Sequence, residues 1–495
     1  MSSPSERGWL SLVLASALVT RLVMLASRPI WYDEAFSLLL ARRPVADILS
    51  GTAADTMPPL YYLLLRTWQS ISHDIAFDRS LNVVLGMALV VVVYLWIKDL
   101  AGPKEGLWAA AFTAVSPLAV YHAQELRMYT LLSLAVVCNW YGFNRLFGEG
   151  RVAGGRGRWW GLFVVSGVAG MYTHNLAVFS LAVPDVLLML RREWRGLKGL
   201  LAAQLGIGLL AGPWLMVVPQ QIGKIQAAFW TPQPGILEIV QALVKAHTFL
   251  PLPTNWIPLA LLSTLLVLSF GALEFAHAKG LGWAKIDLVV AALLPPTLLF
   301  GLSYVMRPVF VPRAFLPSVL AYLGVLGIAV TRARRSWVGW GLAAVMLAAS
   351  LGGLSQQYIF SSFPRSPFPQ ASEWLRSQLE TGDVIVHDNK LSFFPMEIYS
   401  PKLRMVFLAD EPGSHNDTLA VATQDALGLH PVPDIASAAD GANRIWFVTF
   451  QRALDEYRAQ GRPDHPVLVW LDRRYEKMGE MRFNDLLVYS YRKAQ

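Results

Sequence analysis

A bundle of about eleven transmembrane helices carrying a water-soluble extracytoplasmic C-terminal α/β domain is the fold class predicted for this 495-residue chain. Apolar residues make up 54% of it and charged residues only 15%, where a soluble chain carries nearer a quarter charged. Apolar runs of bilayer length recur through the first two-thirds of the chain. After residue 355 they stop, and short apolar runs alternate with polar, turn-forming stretches.

This composition excludes one soluble core and excludes disorder; mean hydropathy is +0.42. The net charge of +8 does not signal nucleic-acid binding, because the basic residues fall in short clusters between apolar segments, as the positive-inside rule describes. Cys138 is the only cysteine and lies in an apolar run, which rules out a disulfide framework or a cysteine metal site. Residues 9–26 are too long for a signal-peptide core and lack a convincing cleavage site, so they read as a retained first helix.

Only helices and closed barrels satisfy the backbone in lipid. The predicted spans are 9–26, 80–97, 107–121, 128–147, 159–173, 175–190, 199–218, 256–276, 286–305, 314–330 and 336–354. With a cytoplasmic N-terminus, the inside loops become 98–106, 148–158, 191–198, 277–285 and 331–335. They carry Arg151, Arg156, Arg158, Arg191, Arg192, Arg195, Arg332, Arg334 and Arg335. That agreement requires two helices within 159–190, meeting near His174; a single span would put every later basic loop outside. The chain is thus expected to be multi-pass in the plasma (inner) membrane, with its C-terminal domain outside.

The outer segments are then 27–79, 122–127, the turn at His174 and Asn175, 219–255, 306–313 and everything after 355. The long ones read as interfacial amphipathic helices, at 35–40 and 60–71. The expected domains are a transmembrane domain, 1–355, with outer loops 27–79 and 219–255, a linker at 356–370, and an α/β domain at 371–495. In the last, 371–380 reads as an amphipathic helix, and 384–387, 405–408, 445–450, 467–471 and 486–491 as strands.

Three outer motifs carry chemistry. Trp31-Tyr32-Asp33-Glu34-Ala35 pairs two carboxylates at a membrane surface, where partial burial would raise a pKa and suit a general base or a cation ligand. An interfacial acid pair beside an aromatic anchor would look the same. Asp55-Thr56-Met57-Pro58-Pro59-Leu60-Tyr61-Tyr62 reads as a capped helix start. His122-Ala123-Gln124-Glu125-Leu126-Arg127-Met128-Tyr129 puts Glu125 and Arg127 near the bilayer, where charge is costly, although a polar turn with a local ion pair would do so too. Arg307 and Arg313 flank an outer hairpin and suit a phosphate, or interfacial snorkelling. His174 is a turn residue by itself. Arg21, inside the first helix, needs a carboxylate or water partner, or a shifted helix frame. The topology places Asp33, Glu34, Asp55, Glu125, Arg127, His174, Arg307 and Arg313 on one face of the membrane.

In these motifs, with Tyr172-Thr173-His174, Phe229-Trp230 and the hairpin ending at Arg313, the chain resembles membrane glycosyltransferases of the type C (GT-C) fold. It is most similar to bacterial relatives of protein O-mannosyltransferases and of the lipid A aminoarabinose transferase. The resemblance implies transfer, with inversion, of a sugar from a polyprenyl-phosphate donor to a hydroxyl of a protein, lipid or glycan acceptor. It implies Asp33 as the base and a substrate-binding set of Glu34, Asp55, Tyr61, Glu125, Arg127, Tyr129, His174, Arg307 and Arg313. Glu125 would order the site or help bind a divalent cation (Mg or Mn), although members of the group differ in metal use. Relatives commonly carry His or Lys before the Pro-Pro pair; Met57 stands there in this chain, so a phosphate contact would pass to Arg127, Arg313 or a cation. Two other classes fit many helices with few charges: a flippase or transporter of lipid-linked saccharides, and a polysaccharide polymerase or ligase using a diphosphate-linked donor. Transporters place charges at the midplane and often show repeats, which this chain lacks.

Overall fold

The computed structural model describes residues 4–148, 155–227, 231–360, 366–414, 417–459, 461 and 464–493. Arg151, Phe229, Trp230 and part of the linker lie outside the described residues. Packing divides the chain into two compact units, 1–26 with 55–361, and 27–54 with 362–495.

The first unit is helical. Helices lie within each of the eleven predicted stretches, yet five of the described ones are both long and apolar enough to cross a membrane alone. These are Ile75–Ala101, Thr254–His277, Ala284–Val305, Pro312–Thr331 and Ser336–Ile359. Trp194–Leu210 and Gly212–Gln226 would form a sixth span, bent by 68°. The expected count of about eleven spans is not reached by this measure, because several apolar stretches are short or broken. Pro103–Val115 has 13 residues, about 20 Å of helix against the ~30 Å hydrocarbon core. Residues 175–190 divide into Ala177–Leu181 and Val183–Leu190.

Contacts sort the helix ends of this unit into two faces. On one, Lys98 pairs with Glu6, Arg145 with Asp99 (2.6 Å), Arg191 with Asp287, Arg332 with Glu105 (2.8 Å) and Arg334 with Glu274 (3.2 Å). All of these basic residues belong to, or border, the basic loops of the sequence. Arg191 Nη1 also donates to the Phe147 carbonyl at 3.0 Å, so the chain after the 129–147 helix goes out and returns to the same side. The apex of that hairpin is His174, where Arg156–Thr173 ends in extended backbone.

Arg21, fully buried, finds backbone partners rather than a carboxylate. Its Nη1 donates to the carbonyls of Ala17 (3.1 Å) and Ala114 (3.0 Å), and its Nη2 to that of Thr113 (3.3 Å). Helix Pro103–Val115 breaks before Pro117, which has no N–H to offer the Thr113 carbonyl. The guanidinium takes that place, at the negative end of the helix dipole.

The second unit holds a five-stranded sheet in the order β2-β1-β3-β5-β4. β1 (Val384–His387) pairs in parallel with β2 (Met405–Phe407) and β3 (Arg444–Phe450). β5 (Leu486–Lys493) runs antiparallel to β3 and to β4 (Tyr475–Phe483). Val384, Val386, Ile445 and Phe447 face one apolar layer, and Ile385, Trp446 and Val448 the other, the pattern of a strand buried on both faces. Residues 467–471, expected as a strand, are helical within Pro466–Asp472: His465 caps the segment and Pro466 opens it.

Residues 27–54 pack within this unit as two helices, Tyr32–Ala41 and Val45–Ala54. Tyr32–Ala41 is buried from Glu34 to Leu38 and at Leu40 and Ala41, unlike an interfacial helix with one wet face.

Candidate active site

The turn between Pro117–Ala123 and Tyr129–Phe147 carries the central motif. Asn82, on the Ile75–Ala101 helix, holds it in shape: its amide donates to the carbonyls of Glu125 and Arg127 (2.9 Å). Gln124 points the other way and donates to the carbonyls of Arg21 (3.0 Å) and Val23 (2.8 Å), which closes the C-terminal end of the first helix. Gln124 is therefore structural, and the turn presents Glu125, Arg127 and Tyr129.

Around this turn the structure brings Glu125, Arg127, Tyr129, His174 and Arg313 together. Glu125 Oε2 lies 2.8 Å from His122 Nδ1, with both side chains 3% exposed. Burial alone would raise the Glu125 carboxyl, but the His122 hydrogen bond and the charges of Arg313 and Arg127 hold it below the usual carboxylate range. The Tyr129 ring stands between its neighbours, 4.9 Å from the His122 ring, 5.9 Å from the His174 ring and 5.6 Å from the Arg313 guanidinium carbon. Burial, followed by the charges of Arg313 and Arg127, pushes His174 down to about 3. Its Nδ1 accepts from the Leu176 N–H at 3.1 Å, so the neutral ring carries its proton on Nε2.

Two members were not singled out from sequence. Lys245, on the amphipathic helix Ile236–His247, has its pKa lowered by burial and then by Arg313. That helix is fixed at its end, where His247 Nε2 meets Tyr322 Oη at 2.9 Å and only glycine at 353 leaves room for the Thr248 carbonyl. A lone Lys on a helix with an apolar face gives no sign of this setting. The second is the Nε2 of His122, buried with no hydrogen-bond partner among the described residues.

Of the other candidates, the Asp55-Thr56 stretch reaches the His174 turn, where Asn175 Nδ2 donates to the Thr56 carbonyl at 3.0 Å. Asp55 pairs with Lys224 at 3.1 Å. Arg307 is met at its backbone N–H by Gln226 Oε1 (3.3 Å). Tyr61 is fully buried on Leu60–Gln69, edge-on to Tyr62. Asp33 and Glu34 belong to the second unit, in the first turn of Tyr32–Ala41. Among the described residues no group of three His, Cys, Asp or Glu is placed to hold a metal ion, and Glu125 faces two arginines and a histidine. These residues do not fit the divalent cation that the resemblance allows at Glu125.

The sequence matches no family model and no curated protein at a significant level. Its fold has relatives among solved structures. ArnT from Cupriavidus metallidurans in the apo state superposes with a TM-score of 0.67 at 13% identity, covering 98% of each chain. The same protein bound to undecaprenyl phosphate gives 0.63 at 13% identity, again over 98% of each chain. The archaeal oligosaccharyltransferase AglB from Archaeoglobus fulgidus, in complex with an inhibitory peptide and a dolichol-phosphate, gives 0.52 at 10% identity, covering 100% of this chain and 75% of that one. An Archaeoglobus fulgidus oligosaccharyltransferase in complex with Zn and sulfate gives 0.53 at 11% identity, over 98% of this chain and 73% of the other. The chain therefore has the type C fold shared by these membrane glycosyltransferases.

Proposed function

We propose that this chain is an inverting membrane glycosyltransferase. It moves a sugar from a polyprenyl-phosphate carrier to an acceptor hydroxyl at the outer face of the plasma membrane, with Asp33 as general base. The observation that carries the reading is the grouping of Arg127 and Arg313 at a neutral His174, beside an ionised Glu125 and with Lys245 near Arg313. Such a cluster suits a phosphate whose charge grows as the reaction proceeds. The acceptor oxygen loses its proton to Asp33 as it attacks the anomeric carbon. The bond from that carbon to the phosphate oxygen breaks on the opposite side, and its electron pair leaves with the lipid phosphate. Cations aimed at that developing charge lower the barrier.

The ArnT structure with undecaprenyl phosphate and the AglB structure with dolichol-phosphate support a lipid-phosphate donor. The ion-paired basic face supports a cytoplasmic N-terminus by the positive-inside rule. Purified protein supplied with a polyprenyl-phosphate sugar tests the reading. Asp33→Asn is expected to abolish transfer while the protein stays folded and still binds the lipid phosphate. Full transfer by that variant removes Asp33 from its role, and lipid translocation without sugar transfer overturns the enzyme reading.

A further inference from the structure

The α/β domain supplies no group to the proposed reaction, yet the helix that bears Asp33 packs within its unit. Four attachments hold the 27–54 segment within its unit. The Tyr32 ring, one residue before Asp33, stacks on Phe394 with centroids 5.4 Å apart and planes at 29°. The Ile30 N–H, just ahead of the helix, donates to Tyr399 Oη at 2.8 Å. At the far end of the helix, Arg42 lies close enough to Glu397 to act on its carboxyl. In the next helix the Gly51 carbonyl accepts from Thr423 Oγ1 at 3.1 Å, and a Cβ at Gly51 would press on Ala426 at 2.9 Å.

Phe394, Glu397 and Tyr399 all lie on Lys390–Tyr399, the helix that follows β1 directly. Behind it the contacts continue into the sheet. Phe394 and Phe393 both meet Phe407 of β2, at 6.0 and 4.8 Å, and Phe393 meets His387 at the end of β1, at 5.5 Å. Phe394 and His387 are fully buried. Close-packed interiors resist displacement, so the Asp33 helix is referenced to the sheet through two layers of rings.

We infer that the C-terminal domain is the mount of the catalytic base: Phe394 and Tyr399 are positioning residues that fix the helix start at Tyr32 and thereby the Asp33 carboxylate. The inference rests on Asp33 being the base. A misplacement of about 1 Å at a reacting group can cost about 100-fold in rate, so a domain remote in sequence acts on turnover rather than on donor affinity.

The test compares Phe394→Ala, Tyr399→Phe, Asp33→Asn and, as a control on the exposed edge strand, Met481→Ala, in the full-length protein. Phe394→Ala and Tyr399→Phe are expected to lower kcat by about 10- to 100-fold and about 3- to 10-fold, with KM for the donor within twofold, and Phe394→Tyr to restore most of the loss. Met481→Ala is expected to leave both constants unchanged. Tyr399→Phe removes one hydroxyl and keeps the ring, so it reports even where Phe394→Ala fails to fold. If Asp33→Asn is inactive while both positioning variants keep full kcat, or if they raise KM alone, the mount is refuted. If Asp33→Asn is active, the base assignment fails instead, and the two failures are told apart.

Discussion

The Glu125 carboxylate and the His122 imidazole meet at 2.8 Å with both side chains buried, and the far nitrogen of that imidazole has no partner among the described residues. A carboxylate on Nδ1 fixes the ring's orientation and makes it a better partner at Nε2. Removing Glu125 would leave His122 unanchored and two arginines unbalanced. Glu125→Gln is expected to lower transfer by about 100-fold, and His122→Phe by about 10-fold, on the scale of losing one preorganised partner. Because the Glu125 pKa lies below the ordinary value of 4.5, its contribution is complete above that pH and is lost only as pH falls through the lowered value. A rate–pH profile whose acid limb above pH 5 disappears in Glu125→Gln would contradict this.

Arg313 touches the Tyr129 ring and bears on His174, Glu125 and Lys245. One guanidinium so placed is expected to matter more than any other cation of the group. Arg313→Ala should weaken binding of a polyprenyl phosphate by about 30-fold and Lys245→Met by about 5-fold, the difference reflecting a planar fork against a point charge. Titration of the purified protein with the lipid phosphate, at low and high salt, reads both. Unchanged affinity in Arg313→Ala would place the phosphate elsewhere.

How much of this was legible in the sequence depends on the physics behind each feature. The apolar runs of β1, β3 and β5 show through because strands buried on both faces need continuous apolar residues. β4 does not: it is an edge strand, mostly exposed, with Glu476, Lys477, Glu480 and Arg482 along it, and charge is how edges are protected. Glu125, Arg127, His174 and Arg313 could be placed on one face of the membrane from loop charges alone, since the positive-inside rule sorts residues by side even without contacts; Tyr129 entered only through the resemblance. The attachment of 27–54 to the α/β domain had no such signal. It joins Tyr32 to Phe394 and Gly51 to Thr423, pairs more than 360 residues apart, through ordinary stacking and one hydroxyl.

Arg21 bears out the shifted helix frame among the alternatives open in the sequence: the first helix runs Pro4–Leu22, which puts Arg21 in its last turn. Its guanidinium serves carbonyls freed by the break before Pro117 rather than an acid. In Arg21→Met the Ala114 carbonyl keeps Thr20 Oγ1, at 2.9 Å, but the Thr113 carbonyl loses its side-chain donor. One buried acceptor left unsatisfied costs about 1–3 kcal/mol. The expected result is a lower midpoint of thermal unfolding in detergent, partly recovered in Arg21→Lys, which restores a single donor. Equal stability of Arg21→Met and the parent protein would show that the capping contributes nothing.

Glu397 gives the mount of Asp33 a pH dependence. Burial raises its carboxyl from 4.5 to about 7, against the opposing pull of Arg42. A carboxyl whose folded pKa is raised contributes stability that is complete below about pH 4.5 and is lost as pH rises through about 7. Above neutrality the folded unit must hold a charge in a half-buried site. Allowing for solvent screening of a partly exposed group, the loss is about 1–2 kcal/mol. Glu397→Gln removes the titration: it should match the parent protein at pH 5 and exceed its unfolding midpoint at pH 8. Turnover should follow the same direction, with the ratio of Glu397→Gln to parent kcat rising from pH 6 to pH 8 as the parent's Tyr32–Ala41 helix loosens. A midpoint difference that is flat across this range would show that Glu397 is ionised, or neutral, throughout it.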